Sequence, residues 1–157
     1  MFNRRTILLL AALLATPVLP AIAAEAPHPV NTLGSTDNVA IRGYDPVAYF
    51  VDGGPRQGKP EFAVQQDGAT WWFENAANKA AFEADPEKYL PAYGGFCAYG
   101  TAKGHLVKIE PEAWSIVDGR LYLNYDLGVQ ATWMKDRAGN IGKADANWPK
   151  LDSKSVQ

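Results

Sequence analysis

The chain has 157 residues, 15 Lys and Arg against 17 Asp and Glu, and a net charge of −2. No cluster of Lys or Arg marks a nucleic-acid footprint or a docking patch for an anionic membrane surface. A single cysteine excludes an internal disulfide, so the fold has to be held by packing, for which five tryptophans, seven tyrosines and six phenylalanines supply the material.

The N-terminal stretch MFNRRTILLLAALLATPVLPAIAAEA has Arg4 and Arg5, an apolar run from Ile7, and the small residues Ala21-Ile22-Ala23. That order predicts a secretory signal peptide over residues 1–23, with cleavage after Ala23 or, as second choice, after Ala26. The apolar run is broken by Pro17 and Pro20. It falls short of the ~20 residues that span a bilayer, so no stable membrane insertion is expected after cleavage. The paired arginines also resemble a twin-arginine export signal. The expected location is the periplasm or the exterior. Removing residues 1–23 takes away two positive charges, leaving 13 Lys and Arg against 17 Asp and Glu, a charge of −4.

Residues 24–38 are rich in Pro, Ser, Thr and Gly and predict a flexible lead-in. Ordered structure is expected over 39–151, with 152–157 as a tail. Val39 to Ile41 suggests a short strand, and Asp45 is placed to cap a short helix opened by Pro46. EFAVQQDGATWWF predicts a hairpin turning at Asp67-Gly68. Asn75 is a candidate N-cap for a helix with Ala77, Ala81 and Phe82 on one side, and Asp85-Pro86 restarts a helical turn. The clearest hairpin is AWSIVDGRLYLNY, turning at Asp118-Gly119. Beyond it, Leu127, Ala131 and Met134 stand at helical spacing, and NIGKADANW suggests a last helical turn. The sum is a small single α+β domain of two β-hairpins with several short helices, without visible internal repeat.

YDPVAYF, WWFENAANKAAFEADPEKYLPAYGGFCAYG, IVDGRLYLNY and ADANW together resemble the exported YHS-domain proteins of bacteria, over residues 39–150. The resemblance implies a YHS-like, treble-clef-related α+β unit and an association with metal handling. The family's cysteines do not transfer: Ala48 stands where the first would fall, and Glu74 and Ala77 stand near the second.

The remaining chemistry centres on Cys97, in the segment YGGFCAYG. A closed zinc site fails on ligand number, since only Cys97, His28 and His105 are offered. Cys97 with His105, helped by Met134, would suit copper or another transition-metal ion. The opposing reading makes Cys97 a small buried hydrophobe and His105 a surface residue. A catalytic thiol would need His105 as its base. Among the carboxylates, Glu83, Asp85 and Glu87, or Glu110 and Glu112, form no pair that the sequence selects. Aromatic residues such as Tyr44, Tyr49, Trp71, Tyr93 and Trp114 are core candidates that would also line a ligand pocket. The sequence therefore supports binding rather than transformation. First comes a periplasmic metal-associated accessory protein using Cys97 and His105, for which a periplasmic protein partner is the expected company. The alternatives are a structural, small-ligand or peptide-binding module with an aromatic pocket near 93–105, and a thiol-dependent enzyme using Cys97.

Overall fold

The computed structural model describes residues 28–157; the signal-peptide reading of 1–23 and residues 24–27 of the lead-in lie outside them. The described chain is α+β. Strands β1 (Lys59–Gln66) and β2 (Ala69–Phe73) form one antiparallel two-stranded sheet, and β3 (Glu110–Val117) and β4 (Arg120–Asn124) form another. Both hairpins turn at an Asp-Gly pair with φ positive at both residues, the geometry this dipeptide favours (Asp67 53° and Gly68 76°; Asp118 50° and Gly119 76°). The helices are short: α1 (Ala48–Val51), α2 (Ala76–Ala84), α3 (Pro86–Tyr89), α4 (Ala98–Ala102), α5 (Leu127–Lys135) and α6 (Arg137–Asn147). Among the described residues no helix is long and apolar enough to cross a membrane.

The structure corrects the absence of a repeat. Each element from β1 to α3 returns 51 residues later: β1 begins at Lys59 and β3 at Glu110 (110 − 59), α2 at Ala76 and α5 at Leu127 (127 − 76). Strand and helix lengths agree, at eight, five and nine residues. Both hairpins break register at the same place, between Lys59 and Ala63 and between Glu110 and Trp114. Both nine-residue helices are capped by the side chain before them, Asn75 accepting from the Asn78 N–H and Asp126 from the Val129 N–H. Asp85 and Asp136 then divide each helix from the next. The fold is two copies of one hairpin–helix unit.

Each unit is preceded by a tight turn in the left-handed region. The expected strand at Val39–Ile41 is such a turn: Ile41 and Arg42 have φ of 41° and 59°, and Gly43 has 77°. Tyr93, Gly94 and Gly95 repeat it at 56°, 59° and 82°. The two turns pack on each other so closely that a Cβ at Gly95 would lie 2.4 Å from Ile41 Cγ2, so only glycine fits there. Buried Asn31 joins them: its N–H donates to the Gly94 carbonyl (2.8 Å), its amide to the Gly95 carbonyl (2.9 Å), and its own carbonyl accepts from the Ile41 N–H (2.8 Å). Residues 28–38, read from the sequence as a lead-in, are thereby tied to the body of the fold. At the other end, residues read as a tail pair with Leu106, whose N–H donates to the Ser155 carbonyl (3.0 Å) and whose carbonyl accepts from Gln157 (2.9 Å).

The main core draws on both units, with Trp71, Phe73 and Phe82 from the first and Leu121, Leu123 and Cys97 from the second. A smaller cluster of Tyr93, Tyr122, Trp133 and Ala144 belongs to the second unit. In α5 the inward residue is Trp133, fully buried, whereas Leu127 and Met134 are exposed. The expected face of Leu127, Ala131 and Met134 is thus the outer one, because α5 repeats α2, in which Asn78 and Phe82 point inward.

Candidate functional site

Cys97 is buried, and the structure shows why a thiol stands there. It sits two residues after the left-handed turn of the second unit, as Asp45 sits two residues after the turn of the first. Asp45 Oδ1 accepts the N–H groups of Val47 (2.8 Å) and Ala48 (3.2 Å), and Oδ2 accepts the Glu74 N–H (2.9 Å) and the Asn78 amide (2.7 Å). Cys97 Sγ accepts the Gly100 N–H at 3.4 Å and donates to Asn124 Oδ1 at 3.7 Å. Asn124 Oδ1 also takes the Tyr99 N–H at 3.2 Å, which holds the amide in place. Burial pushes the Cys97 thiol above its ordinary value, against the smaller downward pull of the N–H groups of Gly100, Tyr125 and Tyr99. Tyr125 stands 51 residues after Glu74 (125 − 74), so thiol and carboxyl occupy matching sockets of the duplicated unit.

His105 is placed elsewhere. It is exposed, and its Nδ1 meets the Gln157 side-chain amide at 2.8 Å. Met134 is exposed on α5, with its sulfur 3.9 Å from the Ser115 hydroxyl. Among the described residues no three side chains of His, Cys, Asp or Glu are gathered to hold a metal ion. The donors around Cys97 do not fit a metal either, because the thiol's neighbours are N–H groups and one amide oxygen already engaged by Tyr99. A buried neutral thiol also lacks nucleophilic character at neutral pH. Alkylation of Cys97 by iodoacetamide in the folded protein is accordingly expected to be at least tenfold slower at pH 7.5 than in urea. Equal rates would place the thiol at the surface.

A cleft of ≈ 620 Å³ lies where the two hairpin turns meet the 28–30 segment. Asp67 comes from the first turn, Gly119 and Arg120 from the second, and Lys88 from α3. Three aromatic residues line the cleft: Trp71 and Tyr93 are buried, and Trp148 is half-buried with its ring against His28, centroids 4.7 Å apart. The polar tips of two of these rings are engaged inside the protein. The Trp71 indole donates to the Gln66 carbonyl (3.1 Å) and the Tyr93 hydroxyl to Asp145 Oδ1 (2.9 Å). Burial, and after it the Asp145 acceptor, hold the Tyr93 hydroxyl protonated well above the usual range for tyrosine. The Arg120 guanidinium lies over the Tyr93 ring, 5.7 Å from its centroid, and Lys88 Nζ lies 5.0 Å from the Tyr89 centroid. The ion pairs of the described residues are Arg42–Glu110 and Lys108–Glu110, so the cleft's two cations have no carboxylate partner.

Of the aromatic residues singled out in the sequence, Trp71 and Tyr93 reach this cleft; Tyr49 and Trp114 pair with each other, centroids 5.6 Å apart. His28, Arg120 and Trp148 were missed, and their spacing along the chain holds no signal that would have grouped them. In comparisons with known proteins, no family model, curated protein or solved structure matches the chain.

Proposed function

We propose that this chain is an exported binding module of YHS type, whose cleft between the two hairpin turns takes a small organic molecule. The observation behind this reading is the cleft itself: the half-buried Trp148 ring, two cations without an ion-pair partner among the described residues, and ≈ 620 Å³ of space. That volume falls within the roughly 300–1,000 Å³ of small-molecule sites. Export rests on the order of residues 1–23, and the YHS relation rests on the sequence strings quoted above. The metal-accessory reading has less behind it, since its two nominated ligands stand in different surroundings, Cys97 inside and His105 on the surface.

Titration with Cu(I), Cu(II) and Zn(II) separates the two readings. The expected result is that Cys97→Ser and His105→Ala bind each ion as the parent does. Submicromolar affinity lost in both variants would restore the metal site. For the cleft, a screen of small aromatic molecules followed by tryptophan fluorescence is expected to give hits whose signal is lost in Trp148→Phe; hits indifferent to Trp148 would place binding elsewhere.

A further inference from the structure

We propose that the cleft selects a small aromatic monocarboxylate, its carboxylate on Arg120 and Lys88 and its ring against Trp148. This rests on the cleft being a ligand site and goes further, to the chemistry of the ligand. Arg120 is the positioned charge. Its guanidinium is held over the Tyr93 ring at 5.7 Å, and Tyr93 is itself fixed by its hydrogen bond to Asp145 and by its place in the left-handed turn. A guanidinium that lies on a ring and has no carboxylate of its own presents its planar fork to a ligand carboxylate. Lys88 adds a second cation on the opposite unit.

The same lining contains Asp67 and Glu87, both exposed. Their charge opposes a dianion such as a phosphate ester more than a monoanion, which narrows the head group to one negative charge. The half-buried Trp148 ring, with His28 against it, supplies the flat surface for a ring. Neither the cations alone nor the rings alone would specify this ligand; their adjacency in one cleft does.

The test is isothermal titration of the full chain with three probes of one shape: indole-3-acetate, its neutral amide indole-3-acetamide, and the cationic tryptamine. The expected order is acetate tightest, by about fivefold or more over the amide, with tryptamine weakest. In Arg120→Gln the preference for acetate over amide is expected to fall below about twofold, and 0.5 M salt is expected to weaken acetate more than amide. Circular dichroism checks that the variant is folded, and Lys88→Gln provides an independent second variant, expected to reduce the same preference. Amide binding as tightly as acetate, or a preference unchanged in both variants, would overturn the carboxylate proposal while leaving the cleft a ligand site. No heat from any of the three probes would overturn both.

Discussion

Replacing Asp45 by alanine is expected to destabilise the protein by about 3–5 kcal/mol, a fall in Tm of about 10 °C or more. The reason is the number of donors left without a partner. Asp45 is fully buried, and its two oxygens accept from the backbone of Val47, Ala48 and Glu74 and from the Asn78 amide. Those donors open α1, join β2 to α2 and fix α2 itself, so one side chain closes three segments of the first unit. Water has no ready access to a residue this buried, and each orphaned donor costs about 1–3 kcal/mol. Asp45→Asn keeps one acceptor oxygen and is expected to lose about half as much. Chemical denaturation of the three proteins measures this; an alanine variant within 1 kcal/mol of the parent would show that the socket is not structural.

The second large effect concerns the matched aromatic anchors of the two units. Phe82 and Trp133 stand 51 residues apart (133 − 82), and both are 0% exposed. Phe82 packs on Phe73 and Trp71 with centroids 5.0 and 6.0 Å away, and Trp133 on Tyr122 at 5.4 Å. Truncating either to alanine is expected to cost about 3–5 kcal/mol through lost burial and the cavity left behind. The two anchors differ in one respect. Among the described residues the Trp133 indole N–H has no hydrogen-bond partner, whereas phenylalanine carries no polar atom. Trp133→Phe removes an unsatisfied donor as it removes volume, and is expected to fall within about 1 kcal/mol of the parent. Loss of 3 kcal/mol or more in Trp133→Phe would contradict this expectation, showing that lost volume or a hydrogen bond of the indole outweighs the unsatisfied donor. Trp133→Ala should also weaken the cleft, since Tyr122 lies between Trp133 and Tyr93, at 5.4 and 5.9 Å.

Alkaline conditions should find the same core. Burial raises Tyr49 and Tyr93 above their ordinary value of 10.0, and Cys97 above 9.0. In the unfolded chain these groups lose their protons at the ordinary values, while in the folded protein they keep them. The unfolded state therefore binds fewer protons at high pH, and stability falls as pH rises, first above about 9 and more steeply above about 10. For Tyr49 alone the slope approaches about 1.4 kcal/mol per pH unit. A denaturation midpoint that holds steady from pH 8 to 11 would contradict the burial of these groups.

What was legible in the sequence was local. Both Asp-Gly turns, the Asn75 cap and the restart at Asp85-Pro86 follow from the chemistry of a few neighbouring residues, and the structure has each of them. The duplication was hidden because few residues match across the 51-residue offset: Pro60 with Pro111, Glu61 with Glu112, Asp67-Gly68 with Asp118-Gly119, and Asp85 with Asp136 are among the few. These are positions at the hairpin turns, at the register breaks of β1 and β3 and between helices, where backbone geometry dictates the residue. The buried positions diverge, Phe82 becoming Trp133 at the same offset and Asp45 becoming Cys97 at an offset of 52 (97 − 45), because a core tolerates different side chains that fill it. The inward face of α5 was misjudged for a related reason. Leu127 and Met134 are apolar yet exposed, so hydrophobic spacing alone pointed to the wrong side. Of the cleft, only Trp71 and Tyr93 were named as pocket residues; His28, Lys88, Arg120 and Trp148 join them only through the packing of one unit on the other.

Two-dimensional NMR of the labelled protein during titration with indole-3-acetate tests the central claim most directly. Shifts are predicted to concentrate at His28, Lys88, Gly94, Arg120 and the Trp148 indole, with Cys97, Asn124 and His105 unmoved. Shifts centred on Cys97 and His105, or scattered over the surface without saturation, would contradict the assignment of the cleft as the binding site.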